Sequence, residues 1–175
     1  ISNTGEVIWP DKLLMLFTKY VLQRHPGATI ISDVKCSMDL SQVVKQNQGD
    51  YLMWRTGHSH IKSKMAETGA LLGGEFSGHI CFRDKWYGYD DALYCAARFL
   101  DILAQSDKSA HELFSEFPTR YCTPEIKIET NDSKKFEIIE ALSQTIDIPN
   151  ATINSIDGLR IEYENSWGLI RASNT

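Results

Sequence analysis

The chain has 175 residues, of which 42% are hydrophobic and 23% are charged, proportions typical of a soluble globular protein. Its 18 Lys and Arg residues against 23 Asp and Glu give a net charge of −5, and no basic block occurs, so no nucleic-acid partner is expected. No apolar run approaches the roughly 20 residues that a membrane span needs, and no basic-then-apolar signal segment opens the chain. These features predict a cytoplasmic protein with no membrane partner.

The four cysteines are widely separated, without a C-x-x-C pair or a histidine at zinc-finger spacing. Two interpretations are open, paired disulfides or the buried free thiols of a cytosolic protein, and the composition favours free thiols. The pattern predicts no metal site. The first residue is Ile1 rather than Met, which predicts a fragment or a processed product.

The first two-thirds of the chain alternates predicted strands with predicted helices. The stretch "GEVIWP" predicts a short strand that ends at Pro10, and Asp11 then predicts the N-cap of a helix. The apolar residues of that helix are Leu13, Leu14, Phe17 and Val21. The β-branched run "ATIISDV" that follows predicts a buried parallel strand.

Further segments continue this alternation. "MDLSQVVKQ" and "IKSKMAETG" predict helices, "YLMWRT" predicts the strand between them, and "ALLGGEFSGHICF" predicts more strand with a turn inside it. "DDALYCAARFLDILAQS" predicts the clearest helix of the chain, capped by Asp90 and Asp91. The predicted core stripe of this helix is Leu93, Ala96, Ala97, Leu100 and Leu103.

The alternation indicates an α/β fold for residues 1–120, with a mixed, mostly parallel sheet and flanking helices. Residues 121–175 predict a smaller, truncated α+β domain. In that domain "EIKIET", "TINSI", "LRIEY" and "GLIRAS" predict strands, and "SKKFEIIEALSQTI" predicts an amphipathic helix. A domain of about 55 residues buries only a marginal core.

Four polar clusters follow predicted strands, at the sheet edge where parallel α/β proteins bind their ligands. They are "DVKCS" with Lys35, "RTGHSH" with Gly57 and His58, "GGEFSGH" with Glu75, Ser77 and His79, and "RASNT" with Arg171, Ser173, Asn174 and Thr175. In an extended segment Glu75, Ser77 and His79 would all point to one face of the chain.

Each cluster alone has an ordinary structural explanation. Lys35 fits a solvated surface lysine, His58 fits a cap of the helix that follows it, and Glu75 fits a surface carboxylate. A Ser-Asn-Thr run after a strand is commonest as a turn. The joint placement of cations, imidazoles and hydroxyls at four strand ends favours a ligand site.

These side-chain types suit a polyol that carries a phosphate. Glu75 can accept hydrogen bonds from sugar hydroxyls, Ser77 can donate to them, and Arg171 presents a planar fork to phosphate. Neutral donors follow at Ser173, Asn174 and Thr175, and the candidates for orienting sugar oxygens or moving a proton are Lys35, His58 and His79.

The segments "GEFSGH", "TGHSHIKSKM", "WYGYDDALYCAARFLDIL" and "SWGLIRASNT" together resemble the bacterial phosphomannomutase/phosphoglucomutase group of α-D-phosphohexomutases. The resemblance covers essentially the whole chain in the family's order. Family enzymes have four domains, and the chain resembles the third and most of the fourth. The resemblance implies an isomerase that interconverts the 6- and 1-phosphates of mannose or glucose through a phosphoserine enzyme and a bisphosphate intermediate.

The resemblance also implies roles for individual residues. The family's Gly-Glu-x-Ser-Gly-His loop matches residues 74–79, so Glu75 and Ser77 would bind sugar hydroxyls and His79 would transfer or orient a proton. The further matches are the Thr-Gly-His turn at residues 56–58, the Val-Lys-Cys segment that carries Lys35 toward the sugar, and the Arg-Ala-Ser-Asn-Thr phosphate loop at residues 171–175.

Two family loops have no counterpart in this sequence, the Thr-x-Ser-His-Asn phosphoserine loop of the first domain and the Asp-Gly-Asp-Gly-Asp-Arg metal loop of the second. The resemblance therefore implies that Mg²⁺ acts in the intact enzyme at a site outside this chain, with hexose 1,6-bisphosphate as intermediate or activator. The implied partners are hexose phosphates and the missing first and second domains. We expect the chain alone to be inactive.

Two alternatives remain open. The chain could be a free-standing sugar-phosphate-binding module, or part of a phosphoglucosamine mutase, whose sugar loop differs mainly at the position of Phe76. The loop pattern fits both mannose and glucose and does not select between them.

Overall fold

The computed structural model describes residues 1–173 and divides the chain into two compact units, the first Ile1–Pro118 and the second from Thr119 onward. The helices of the first unit are α1 Pro10–Arg24, α2 Asp39–Gln46, α3 His58–Thr68, α4 Ala92–Ala104 and α5 Ala110–Ser115. Its strands are β1 Thr29–Asp33, β2 Asp50–Trp54, β3 Leu72–Gly74 and β4 Ile80–Phe82. The second unit contains α6 Lys135–Thr145, β5 Thr152–Asn154, β6 Leu159–Glu162 and β7 Trp167–Ile170.

The sheet of the first unit has the strand order β2-β1-β3-β4. Strand β1 pairs in parallel with β2 and β3, and β3 forms an antiparallel hairpin with β4. The expected mixed, mostly parallel sheet with flanking helices is therefore confirmed. Because β1, β2 and β3 run in the same direction, the loops that follow them emerge at one edge of the sheet.

Alternate residues of β1 pack into two apolar clusters, one on each face of the sheet. Ile30 joins a large cluster formed with α1, α2, α5 and the inner face of α4. Ile31 joins a smaller cluster with Ile61 and Met65 of α3. The sheet is thus covered by helices on both faces, which explains why β1 is almost continuously buried.

The second unit combines α6 with an antiparallel sheet in the order β5-β6-β7, as the predicted α+β pattern requires. The predicted strand "EIKIET" is wrong. Its Ile126 and Ile128 are 77% and 84% exposed, and residues 119–130 pair with no strand among the described residues. An alternating pattern makes a strand only where a neighbouring strand completes the hydrogen-bond ladder.

The start of the chain also differs from expectation. Residues 5–10 form no strand, because the Ser2 N–H donates to the Glu6 carbonyl and the Gly5 N–H to the Ser2 carbonyl, which closes a local turn. Helix α1 begins at Pro10, whose fixed φ suits the first helical position, and Trp9 rather than Asp11 is the N-cap.

Of the predicted core stripe of α4, only Leu103 packs against the core. Leu93 and Leu100 of the predicted stripe are 85% and 63% exposed, whereas Arg98 and Ile102 are buried. Asp91 caps the helix by accepting from the Tyr94 N–H at 2.9 Å, as expected, but Asp90 does not cap it.

The four cysteines are free thiols, as the composition favoured, but only Cys36 and Cys81 are buried, whereas Cys95 is half-buried and Cys122 is exposed. Burial raises the pKa of both Cys81 and Cys95 to about 12, so neither is a ready nucleophile at neutral pH. Within residues 1–173, no helix is both long enough and apolar enough to cross a membrane.

Candidate functional site

A buried carboxylate, Asp33, holds together the loops at the carboxyl edge of the sheet. Its Oδ1 accepts from the Phe76 N–H and from the Cys36 thiol, each at 3.1 Å, and its Oδ2 accepts from the Thr56 hydroxyl at 3.1 Å. Asp33 is fully buried at the end of β1. One side chain therefore fixes the loop after β3 to the loop after β2, a link that the sequence analysis did not predict.

Glu75 is a second buried carboxylate at this edge, only 1% exposed. Its Oε1 accepts from the Gly57 N–H, while its Oε2 finds no hydrogen-bond donor among the described residues. Burial raises the pKa of Glu75, the Gly57 N–H opposes that shift, and the Asp33 charge adds to it. Glu75 thus keeps an acceptor oxygen available for a donor from outside the described chain.

Gly57 depends on being glycine. Its φ of +129° is a conformation that residues with a side chain rarely adopt, and a Cβ there would lie 3.0 Å from the His60 ring. This conformation lets the Gly57 N–H reach Glu75 immediately before α3 begins. His58, at the start of α3, is exposed.

The loop between β3 and β4 is a tight turn rather than an extended segment. The Glu75 N–H donates to the His79 carbonyl at 2.9 Å and the Gly78 N–H donates to the Glu75 carbonyl at 3.0 Å. Glu75 consequently points inward while Ser77 and His79 are exposed. The expectation that these three side chains share one face is wrong, because the turn breaks the period of two on which it rested.

The imidazoles of His58 and His79 lie together, with ring centres 5.2 Å apart. Nδ1 of His79 lies 2.5 Å from Oδ2 of Asp90, so the role of Asp90 is to hold this ring. Lys35, two residues beyond β1, is half-buried. The structure thus brings Gly57, His58, Glu75 and His79 together at one sheet edge.

In the second unit, Arg171 follows β7 and its Nε donates to Asp157 Oδ2 at 2.9 Å. This pair orients the guanidinium, with the two side chains about four-fifths buried. Ser173 is half-buried. Asn174 and Thr175, the other two predicted phosphate-binding residues, lie outside the described residues.

No three His, Cys, Asp or Glu side chains converge within residues 1–173 in a way that could hold a metal ion. The described residues therefore do not fit a Mg²⁺ site.

Comparison with known proteins identifies the architecture. The sequence model described as "Phosphoglucomutase/phosphomannomutase, alpha/beta/alpha domain III" matches residues 9–121. The chain belongs to the phosphoglucomutase/phosphomannomutase family. The match extends over the β2-β1-β3-β4 sheet and its helices, and so includes Asp33, Gly57, Glu75 and His79.

Similar proteins extend well beyond this chain. The phosphomannomutase/phosphoglucomutase of Pseudomonas putida is 53% identical over all 175 residues, which make up 38% of that relative. The phosphoglucomutase of Neisseria gonorrhoeae is 45% identical over 177 aligned residues, covering the whole chain and again 38% of the relative. A phosphoglucomutase/phosphomannomutase family protein from Burkholderia thailandensis has a crystal structure that superposes with a TM-score of 0.90 at 45% identity, over 97% of this chain and 36% of that one. The chain thus spans less than two-fifths of the length of these family members.

Proposed function

We propose that this chain is the substrate-recognition portion of a phosphohexomutase that interconverts the 6- and 1-phosphates of mannose and glucose. The observation that carries the proposal is the Glu75 carboxylate, which is buried at the carboxyl edge of the sheet with one oxygen lacking a partner in the described chain. A sugar hydroxyl is a donor that completes such a group without bringing a second charge into the site.

Glu75 and the residues around it have separate roles in sugar recognition. Oε2 of Glu75 accepts from a sugar hydroxyl, and Ser77 and Lys35 donate to neighbouring sugar oxygens. Asp33 keeps Phe76 and Thr56 in place, so the loops that carry Glu75 and Gly57 are already arranged before the sugar arrives. The imidazoles of His58 and His79 lie nearby, with ring centres 5.2 Å apart.

The phosphate that is not transferred binds at residues 171–175. Arg171 supplies the positive charge and planar donors, and Ser173, Asn174 and Thr175 supply neutral donors. The ion pair with Asp157 supports this role because it fixes the guanidinium before phosphate binds.

The phosphoserine that donates the phosphoryl group belongs to a part of the enzyme outside this chain. A phosphoserine donates to one sugar hydroxyl, hexose 1,6-bisphosphate forms and reorients, and a phosphoryl group returns to the enzyme. Mg²⁺, held by residues outside this chain, would supply charge neutralisation at the phosphoryl group. In this division of labour the first unit is the third domain of the enzyme and the second unit is part of the fourth.

The test is the Glu75→Ala variant of a full-length mutase that contains this chain. Loss of the carboxylate leaves a sugar hydroxyl without its acceptor in a closed site, which costs about 1–3 kcal/mol, or roughly 5- to 150-fold in kcat/KM. We expect the loss with both mannose 1-phosphate and glucose 1-phosphate. Glu67→Ala is the matched control, because Glu67 is an exposed carboxylate on α3. Equal kcat/KM in Glu75→Ala and the wild type, for both sugars, would reduce Glu75 to a structural role.

A further inference from the structure

His79 and Asp90 form a pair that is fixed by two separate contacts. Oδ2 of Asp90 lies 2.5 Å from Nδ1 of His79, and Oδ1 of the same carboxylate accepts from the Ile80 N–H at 3.3 Å. The backbone at Asp90 also bridges to Cys81 of β4. One carboxylate therefore holds both the imidazole and the peptide that follows it.

The neighbouring Asp91 does not share this task. Its Oδ1 caps α4 by accepting from the Tyr94 N–H at 2.9 Å. Two adjacent carboxylates thus have separate partners, one the helix end and the other the imidazole. The pair "DD" in the sequence gives no sign of this division, since either residue suits a cap.

The chemistry of the contact sets which ring nitrogen carries the proton. An ionised carboxylate can only accept hydrogen bonds, so Nδ1 of His79 must be the donor. The neutral ring then has its lone pair on Nε2, which makes no hydrogen bond among the described residues. The His79 side chain is 46% exposed, so a ligand can reach the ring.

We propose that Asp90 is a positioning residue that keeps Nδ1 of His79 protonated and so makes Nε2 the atom that takes a proton from a ligand hydroxyl. The identity of that hydroxyl, on a hexose phosphate, rests on the proposed function. In the step, the O–H bond breaks and its proton moves to Nε2, while the oxygen forms a bond to the phosphorus of a phosphoryl donor. The leaving oxygen of the donor keeps the electron pair of the broken P–O bond, and the imidazolium that results is stabilised by Asp90.

Two other titratable groups are close to this ring. The His58 ring centre is 5.2 Å away, and the Glu75 charge interacts with both imidazoles. Glu75 is buried and bonded to the Gly57 N–H, so it does not compete with Asp90 for Nδ1. Asp90 is therefore the carboxylate that sets the tautomer of His79.

The experiment reads the tautomer directly by NMR of the 175-residue chain with ¹⁵N-labelled histidine. The spectra are recorded at alkaline pH, and His79→Gln identifies the signal. We expect the Nδ1–H form at His79, in contrast to the Nε2–H form that free histidine prefers. An Nε2–H form in the wild type would overturn the proposal, whatever the behaviour of any variant.

Two variants then assign the effect. Asp90→Ala should convert His79 to the Nε2–H form, whereas Asp91→Asn, which removes the same charge one residue away and still caps the helix, should leave the Nδ1–H form unchanged. Retention of the Nδ1–H form in Asp90→Ala would show that another group sets the tautomer. Because the measurement requires no turnover, its result is independent of whether the chain acts on hexose phosphates.

Discussion

At the scale of single residues, the site contains two buried carboxylates with very different surroundings. Asp33 accepts from a backbone N–H, a thiol and a hydroxyl, so its charge is fully satisfied within the chain. Among the described residues, Glu75 accepts only from the Gly57 N–H, and it lies close enough to Asp33 for the two charges to repel. The first carboxylate holds structure in place, and the second remains incompletely satisfied, which is the usual condition of a binding group.

This difference predicts how Glu75 affects stability with pH. Because burial raises the pKa of Glu75 above its ordinary value of 4.5, the folded chain binds more protons there than the unfolded chain. The free energy of unfolding contributed by this group therefore falls as the pH rises from 4.5 through the raised pKa. We expect Glu75→Gln to gain stability relative to the wild type as the pH rises above 4.5, as followed by urea unfolding at a series of pH values.

Comparing the variant with the wild type at each pH cancels other titrating groups such as Asp11, whose pKa burial also raises. Glu67→Gln, at an exposed position, should show no such trend. A stability difference between Glu75→Gln and the wild type that stays constant with pH would mean that the Glu75 carboxyl is equally well accommodated in both charge states.

At the scale of elements, α4 shows why an apolar stripe in a sequence does not by itself identify the buried face. The helix has two apolar sides, one with Leu93 and Leu100 and the other with Tyr94, Phe99 and Ile102. The side that packs inward also carries Arg98, which makes two 2.9 Å hydrogen bonds to Asp84. A charged residue such as Arg98 predicts an exposed helix face from the sequence. Its burial is possible because it pairs with Asp84 in the folded chain.

The two faces of α4 predict opposite results for similar truncations. Ile102 is 2% exposed, so Ile102→Ala should lower the free energy of unfolding by about 2–5 kcal/mol through lost burial and the cavity it leaves. Leu100 is 63% exposed, so Leu100→Ala should change it by no more than about 0.5 kcal/mol. Urea unfolding of the two variants measures both values. A larger loss of stability in Leu100→Ala than in Ile102→Ala would show that the face with Ile102 is not the buried face of α4.

The elements that the sequence predicted correctly are those specified by local signals. The β-branched run that predicted β1 and the segments that predicted α2 and α3 needed no knowledge of distant partners. The strand predicted at residues 125–130 failed because strand formation depends on a neighbour elsewhere in the fold. The same reason explains which parts of the candidate site could be predicted. The polar loops were predictable because they follow strands. The contacts of Asp33 with Phe76 and of Asp90 with His79 were not, because the partners are 43 and 11 residues apart in the sequence.

At the scale of the whole molecule, the two units differ in how much core each possesses. The first unit buries a large cluster under α1, α2, α4 and α5 and a second under α3. In the second unit the buried residues among those described are Leu159 and Arg160, and α6 buries none of its side chains. A unit with so few buried apolar contacts opens more readily than its neighbour, so the proposed phosphate loop lies on the less stable part of the chain.

This imbalance leads to a prediction for the isolated 175-residue chain. Sugar recognition by the first unit adds a few hydrogen bonds, each worth about 0.5–3 kcal/mol depending on whether a charged group takes part, and binding must also offset several kcal/mol of lost translational and rotational freedom. We therefore expect mannose 1-phosphate to bind with a Kd of about 1 mM or weaker, near −4 kcal/mol, as measured by NMR titration.

We also expect no mutase turnover with Mg²⁺ and hexose 1,6-bisphosphate present, because neither a phosphoserine loop nor a metal-binding loop occurs in the sequence. Micromolar binding would show that recognition is complete within these residues, and turnover in material free of host mutase would refute the division of labour proposed for the chain.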